Sequence, residues 1–318
     1  MKKTTKGIIL ALSIIIGLTG CSKKTKTDSN KVRIGQLTGH VLPVVALEKG
    51  YFTAEGLTDV ELFTFGAGPA EVEAFTSGDL DIINTGDLPA YNGIINGLNL
   101  RFIGTYSSSY KANGLIVRDD ANIKTYSDLK GKKLAVPFGT NIQSLLYEYL
   151  DAGGLTGDDA EIINLSCADA VNAIRQKQVD AIVVWQPWLN MAESEDGITV
   201  LSYTDDFRYF VCPISVSADY LEKNPETIKK VISALDKAGK WIRDNKLEAA
   251  KLTAEYYNLD SYDSILIGLE TGDPSVKLTD EKVEAIKLGA VQNYKYGILR
   301  QEINVDNYIR QDITADLK

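Results

Sequence analysis

The sequence predicts an α/β fold of two lobes with mainly parallel sheets, joined by a hinge of two strands. Short runs of β-type residues alternate with helical runs, and this alternation begins twice along the chain. Alternating strands and helices are typical of parallel sheets that are covered by helices. The 318 residues are sufficient for two lobes, since one domain takes about 100–200 residues.

The first set of elements begins at Lys31–Leu37, where apolar and polar residues alternate as they do in a strand. Gly50 and Gly78 end the first two helices, and Asp87 with Pro89 suits the start of a third. The other elements predicted here are the helices Pro43–Lys49 and Ala70–Thr76 and the strands Val60–Phe65 and Leu80–Ile83.

The second set begins after Leu115–Val117 and shows the same alternation. Its predicted strands are Lys133–Pro137, Glu161–Leu165 and Val179–Val184, and its predicted helices are Ile142–Ala152 and Asp169–Gln176. A returning strand, Val211–Val216, precedes two longer helices with apolar residues at three- and four-residue spacing, Pro225 to about Asn258 and Asp280 to about Gly297.

The chain is predicted to leave the first lobe near Arg118–Asn122 and to return to it near Tyr203–Phe210. Lobe I then consists of residues 32–118 and 208–318, including the C-terminal helices, and lobe II consists of residues 119–207. A lobe made from two chain segments places the hinge at the crossings and leaves a cleft between the lobes.

The N-terminus predicts export and lipid anchoring at the outer face of the cell membrane. Lysines precede an apolar run, Gly7–Leu18, which is too short to span a bilayer. Thr19-Gly20 before Cys21 resembles a bacterial lipobox, so residues 1–20 are interpreted as a signal peptide, Cys21 as lipidated and residues 21–31 as a disordered tether. The alternative is an ordinary signal peptide with an incidental cysteine. The absence of an A-x-A-like cleavage site argues against this alternative.

The charge excludes nucleic acid as a partner. Removing residues 1–20 takes away three lysines and leaves 31 basic against 43 acidic residues, so the net charge changes from −9 to −12. Binding to phosphates requires clustered Lys and Arg. Beyond the apolar run no segment approaches the length of a membrane helix, so the membrane is reached through lipid, and stable anchoring takes more than one acyl chain.

The cysteines and the single histidine predict neither a metal site nor a cofactor. Cys167 and Cys212 can form one disulfide or remain two separate buried thiols, and their apolar neighbours favour separate thiols. His40 has no accompanying Cys/His cluster that would complete a zinc site.

Several motifs, in order along residues 31–310, resemble one family. They are Ala46–Leu57 (ALEKGYFTAEGL), Phe65–Ala70 (FGAGPA), Gly78–Pro89 (GDLDIINTGDLP), Asp128–Val136 (DLKGKKLAV), Phe138–Asn141 (FGTN) and Val179–Trp188 (VDAIVVWQPW). Together they resemble the solute-binding proteins of ABC importers for aliphatic sulfonates, taurine or nitrate, a group that is related to binders of thiamine-precursor pyrimidines. The resemblance implies a fold of the type II periplasmic-binding-protein kind. It further implies a monomeric, non-enzymatic receptor that closes on one small ligand and delivers it to an ABC permease and its ATPase.

The predicted binding residues lie beyond the carboxyl ends of the strands, where open α/β sheets bind ligands. Three of these segments also begin helices, whose free N–H groups and partial positive charge favour anions without requiring arginine. The predicted ligand-binding residues are Thr38, Gly39, His40, Gly66, Gly68, Pro69, Thr85, Gly86, Asp87, Thr140, Asn141, Trp185, Gln186 and Tyr209.

Each role has a structural alternative. The glycines at 66–68 bring N–H groups to an anion or simply form a turn, and Trp185 covers an alkyl or aromatic tail or packs in the core. Asp87 grips an amine or begins a helix. Gln186 stands where relatives carry an acidic residue in a W-D-P pattern, which weakens the case for an amine-bearing ligand such as taurine. For His40 a structural role is favoured, while the role of Arg208 stays open between ligand contact and hinge salt bridge.

The expected ligand is a small organic anion of the aliphatic sulfonate kind. The alternatives are a pyrimidine thiamine precursor, nitrate, or an enzyme or a sensor on the same fold. Against an enzyme stand the export signal, the lone histidine and the lack of G-x-S-x-G and H-E-x-x-H motifs.

Overall fold

Two β-sheets organise the chain in the computed structural model, which describes residues 31–109, 111–204, 207 and 209–317. The predicted signal peptide, Cys21 and Arg208 lie outside the described residues. Each sheet is covered by helices and forms the centre of one lobe, which confirms the predicted α/β fold class with two lobes.

The first sheet has six strands. They are β1 (Lys31–Leu37), β2 (Asp59–Phe65), β3 (Ile82–Asn84), β4 (Leu100–Ser109), β10 (Phe210–Ser217) and β11 (Gly272–Asp273). Their order across the sheet is β2-β1-β3-β10-β4-β11.

The second sheet has five strands. They are β5 (Asn113–Arg118), β6 (Lys133–Val136), β7 (Glu161–Asn164), β8 (Ala181–Trp185) and β9 (Ile198–Tyr203). Their order is β7-β6-β8-β5-β9. In each sheet the strand by which the chain enters the lobe lies next to the last of three parallel strands: β10 next to β3, and β5 next to β8.

The helices α1–α12 follow these strands. Their bounds are α1 (Leu42–Glu48), α2 (Tyr51–Ala54), α3 (Gly68–Thr76), α4 (Asp87–Ile95), α5 (Asn141–Ala152), α6 (Cys167–Arg175), α7 (Trp188–Glu193), α8 (Ala218–Lys223), α9 (Pro225–Asp244), α10 (Lys246–Tyr256), α11 (Asp263–Thr271) and α12 (Asp280–Lys295). Within the ranges described, none of them combines the length and the apolar character that a membrane crossing requires.

The long helix predicted from Pro225 to about Asn258 is two helices that meet at Asn245. This residue has φ −134° and ψ 40°, which is not helical, and its side-chain Nδ2 donates to Trp241 O at 2.9 Å. The break lets α9 and α10 pack on different neighbours. Apolar spacing alone continues through such a break, because both helices bury one face.

Each sheet has its own apolar packing. Alternate residues of one strand point to opposite faces, so Ile82 packs with α1 and α9 while Ile83 packs with α4 and α12. The second lobe has a core of its own around Leu115 and Ile182.

The first crossing between the lobes lies earlier than the sequence predicted. Strand β5 pairs with β8 and β9 of the second sheet, so the chain leaves the first sheet at Ser109 and enters the second at Asn113. The predicted limit at residue 118 therefore falls after β5 rather than before it. A short apolar run gives no local indication of its pairing partner, which is set by long-range contacts. The second sheet ends at Tyr203, and the first sheet resumes at Phe210.

Both sheets are mixed, with a larger antiparallel share than predicted. Four of the strand pairs between described residues are parallel and five are antiparallel. Every antiparallel pair includes a strand next to a crossing, namely β4, β5, β9 or β10. The parallel parts are the β-α-β units that the alternation indicated.

Cys167 and Cys212 are both free thiols, in different lobes. The interpretation as two separate thiols is confirmed. Burial raises the pKa of the Cys212 thiol to about 11, so this group is uncharged at neutral pH.

Two helical glycines give substitutions of opposite effect. A methyl group on Gly239 of α9 would lie 2.5 Å from Pro274 O, whereas one on Gly268 of α11 would have no atom within 4 Å. We expect Gly239→Ala to destabilise the fold by about 1–3 kcal/mol through overpacking. Gly268→Ala should stabilise it by up to about 1 kcal/mol through helix propensity. Urea unfolding without ligand measures both changes, and changes of the same sign would contradict the packing described here.

Candidate functional site

A cavity of about 190 Å³ lies between the two lobes. Its walls come from the end of β1, from the first turns of α1, α3, α4 and α5, from the end of β8 and from the start of β10. Strand ends and helix starts of both sheets therefore meet at this cleft, which is where ligands bind in open α/β sheets.

The N-termini of α3, α4 and α5 converge at one end of the cavity. A methyl group on Gly68, the first residue of α3, would collide with Thr85 Oγ1 beside the start of α4. A methyl group on Gly86, the N-cap of α4, would lie 2.9 Å from Cγ of Asn141, the first residue of α5. Glycine is thus required at two positions for close approach, and the second of these joins the two lobes across the cleft.

Helix N-termini carry N–H groups without partners inside the helix and a partial positive charge. Some N–H groups near the cavity are already bonded to side chains. Leu88 N donates to Asp87 Oδ1 at 2.8 Å, and Gly139 N donates to Gln143 Oε1 at 2.8 Å. Because three helix N-termini meet here, the backbone still gives this end of the cavity a positive potential.

His40 contributes a neutral ring to the cavity wall. Its Nδ1 accepts a hydrogen bond from Leu37 N at 3.1 Å, and its ring lies 3.9 Å from the ring of Tyr106. Burial lowers the pKa of His40 to about 3. Because Nδ1 is an acceptor, the assigned tautomer carries its proton on Nε2.

Another part of the cavity wall is apolar. It is formed by side chains from α1, α9, α11 and β10, namely Leu42, Ile242, Ile265, Leu269 and Phe210. The indole of Trp185 adds an aromatic surface from the second lobe.

Among the described residues that line the cavity, one side chain is charged, Asp273. Its Oδ2 lies 3.0 Å from the Nζ of Lys282, and its Oδ1 accepts from Ser275 N at 2.9 Å. Burial lowers the pKa of the Lys282 ammonium, and Asp273 opposes this effect. No Lys or Arg is found in the described part of the lining, so an anion here would be held by neutral donors.

A family model described as NMT1/THI5 like matches residues 38–249, two thirds of the chain.

The chain belongs to the NMT1/THI5-like family. It is 29% identical over 264 residues to a protein of Bacillus subtilis (strain 168) named as an aliphatic sulfonates-binding protein, with 80% of this chain and 79% of that protein covered. The family predicted from the motifs is confirmed.

Two solved structures show the same fold as this NMT1/THI5-like protein. The periplasmic aliphatic sulphonate binding protein SsuA from Escherichia coli superposes with a TM-score of 0.78 at 26% identity, covering 89% of this chain and 92% of that chain. The desulfurization enzyme DSZB superposes with a TM-score of 0.71 at 15% identity, covering 90% and 98%. The second likeness shows the fold alone, and it shows that this fold also occurs in an enzyme.

Nine of the fourteen predicted site residues of this NMT1/THI5-like protein lie on the cavity wall. They are Thr38, Gly39, His40, Gly68, Gly86, Thr140, Asn141, Trp185 and Gln186. Their contact with ligand stays a prediction. Thr140 cannot give its hydroxyl proton to a ligand while it donates to Pro137 O at 2.7 Å.

Five predicted residues do not lie on the wall. Gly66 and Pro69 are exposed beside it, and Thr85 is fully buried beneath it. Tyr209 donates to Ser108 Oγ at 2.6 Å.

The fifth residue, Asp87, is turned towards α12. Its Oδ2 occupies the space beside Gly289 and accepts from Tyr91 OH at 3.4 Å. Gly86, not Asp87, is the N-cap of α4. Asp87 is thus directed away from the cavity wall, and the alternative in which it grips an amine of the ligand stays a prediction.

Two groups of lining residues were not predicted from the sequence. The first is the segment Tyr106–Ser109 with Asn113 at the first crossing, and the second is the apolar face of α11 with Ile242. The run Ile265–Leu269 has the composition of a buried helix. No local signal places it over a cleft whose wall also includes Leu37–Leu42, far earlier in the chain.

The protonation state and tautomer of His40 are directly testable, because His40 is the one histidine in the sequence. We expect nitrogen NMR shifts of the Nε2–H tautomer that do not titrate between pH 7 and 5. Since an unfolded histidine binds its proton near pH 6.5 and His40 near 3, the protein should lose stability as the pH falls through this window. His40→Gln should remove that contribution. A titration midpoint near 6.5 would contradict the neutral ring.

Proposed function

We propose that this protein is the extracytoplasmic receptor of an ABC importer and that it captures a small organic anion with an apolar tail, of the aliphatic sulfonate kind. The bound anion is passed to a permease and its ATPase. Anchoring through a lipidated Cys21 is part of the proposal and rests on the lipobox-like sequence.

The observation that carries the proposal is the polarity of the cavity. Three helix N-termini converge at one part of the wall, and the apolar side chains Leu42, Ile265 and Leu269 contribute another part. An oxyanion at the first part would accept backbone hydrogen bonds and interact with the helix dipoles. An alkyl tail would lie against the second part, where it gains about 0.8 kcal/mol per buried CH₂ group.

The size of the cavity supports a short tail. A cavity of about 150 Å³ holds benzene, so the 190 Å³ found here suits a ligand only slightly larger. Nitrate would leave the apolar part unfilled. The relatives named for aliphatic sulfonates support the same ligand class.

A pyrimidine thiamine precursor is the second candidate, and the aromatic lining favours it. Trp185, Tyr106 and Phe210 all contribute to the wall and could stack on a flat ring. Gln186 also lines the cavity and is an uncharged partner for either ligand.

An enzymatic role has less support. The thiol of Cys212 lines the cavity, but burial raises its pKa to about 11, which is the opposite of an activated nucleophile. His40 is neutral, and its Nδ1 is occupied by Leu37 N.

A thermal-shift screen of the chain from Ser22 onward tests the ligand class. Alkanesulfonates of two to four carbons, taurine, nitrate, sulfate and pyrimidine precursors are the probes. A ligand at about 100 times its dissociation constant should add about 2.7 kcal/mol of stability. We expect stabilisation by the alkanesulfonates. A shift with pyrimidines alone, or with none of the probes, would reject the sulfonate assignment.

Trp185 and Trp188 provide a matched pair of variants for the tail end of the site. Trp185 lines the cavity, whereas Trp188 packs on the core of the second lobe and is absent from the lining. We expect Trp185→Ala to weaken butanesulfonate binding by more than about 1 kcal/mol, because an aromatic contact with the tail is lost. Trp188→Ala should lower stability and leave affinity nearly unchanged. Calorimetric titration distinguishes the two, and equal affinities for wild type and Trp185→Ala would remove Trp185 from the site.

A further inference from the structure

A buried acid lies directly beneath the anion end of the cavity. Glu71, in the first turn of α3, is fully buried. Its carboxyl group occupies the space above Gly35 of β1, where a methyl group would lie 2.8 Å from Glu71 Oε1. The glycine in the strand thus provides the room that the carboxyl group needs.

The carboxyl group is connected to the turn that presents α4 to the cavity. Glu71 Oε1 accepts a hydrogen bond from Asn84 N at 2.8 Å, and Asn84 is the last residue of β3. Thr85 and Gly86 follow it and lead into α4. The Thr85 hydroxyl is fully buried, adjoins the carboxyl group and packs against Gly68. Since Gly68 and Gly86 both line the cavity, Glu71 supports the floor of the site from below.

The second carboxyl oxygen of Glu71 is also buried. Within the described residues, no hydrogen-bond partner is found for Glu71 Oε2. Burial raises the pKa of Glu71 to about 8, and the Asn84 N–H and the Thr85 hydroxyl oppose this shift. The acid is therefore uncharged at neutral pH, which fits a site where an anion is bound without any Lys or Arg in the described lining.

Other titratable groups lie around Glu71. Burial raises the pKa values of Tyr106, Cys212 and Tyr257, with that of Cys212 at about 11, and the charge of Glu71 adds to each of these shifts. Burial lowers the pKa of His40 to about 3. The titratable groups on the elements packed against α3 are Lys31 and Arg33 on β1, Asp59 and Glu61 on β2, and Asp87 and Tyr91 on α4. Lys31 is paired with Glu61, and Arg33 with Asp81.

We propose that Glu71 is a positioning residue for anion binding: uncharged, it holds the Asn84–Gly86 turn at the floor of the site, and its ionisation weakens the binding of the anion. The inference rests on the proposed function in so far as the ligand is an anion. A carboxylate formed beneath the converging helix N-termini opposes their positive potential. By linkage, the bound anion in turn favours the protonated form of Glu71.

The test is calorimetric titration of butanesulfonate at pH 7, 8 and 9 with wild type, Glu71→Gln and Glu73→Gln. A sulfonate carries the same charge throughout this range. Glu73 lies on the same helix and is exposed, so its variant is the matched control. We expect the affinity of wild type and Glu73→Gln to fall by about fivefold or more between pH 7 and 9, and the affinity of Glu71→Gln to stay constant.

A second measurement separates this role from a structural one. Without ligand, the folded protein keeps the Glu71 proton to a higher pH than the unfolded chain, so wild type should lose stability as the pH rises from about 4.5 to 8. Glu71→Gln should lack this contribution. A wild-type affinity that is constant from pH 7 to 9, or one that falls equally in Glu71→Gln, would overturn the proposal. Failure of every protein to bind butanesulfonate would instead reject the sulfonate function.

Discussion

The close approach of three helix N-termini is the constraint on which the rest of the site depends. Gly68 and Gly86 lack a Cβ atom at the points where Thr85 and Asn141 approach, so the starts of α3, α4 and α5 can share one end of the cavity. Two of these helices belong to the first lobe and one to the second. The positive potential that they create together therefore depends on contact between the lobes.

Each ionisable group of the site is either neutral or paired with a group of opposite charge. His40 is neutral, Asp273 is paired with Lys282, and Glu71 is protonated at neutral pH. A charged side chain in a dry cleft costs desolvation energy and would have to be compensated in the empty state as well as in the bound state. Fixed backbone dipoles avoid this cost, so the anion that we propose as ligand is compatible with a chain of net charge −9.

Contacts away from the crossings also hold the lobes together. Lys295 at the end of α12 forms an ion pair with Asp151 of α5 at 2.8 Å, and the rings of Tyr147 and Tyr296 stack with centroids 5.8 Å apart. These contacts join the C-terminal helix of the first lobe to the helix whose N-terminus faces the cavity. The ion pair is half-exposed and correspondingly weak.

The sequence by itself determined the α/β class, the family and the helix starts that face the cleft, because these follow from local patterns of apolar residues, glycines and caps. Gly86 and Asn141 are readable as turn and helix start from their immediate neighbours. The pairing of β5, the break at Asn245 and the inward turn of Asp87 were decided by tertiary structure, because each depends on residues far away in the chain. The same holds for the apolar part of the cavity wall, where α11 meets residues from β1 and α1, and for Glu71. A glutamate in a first helical turn is usually a solvated favourable charge, and only the space above Gly35 turns it into a buried, neutral acid.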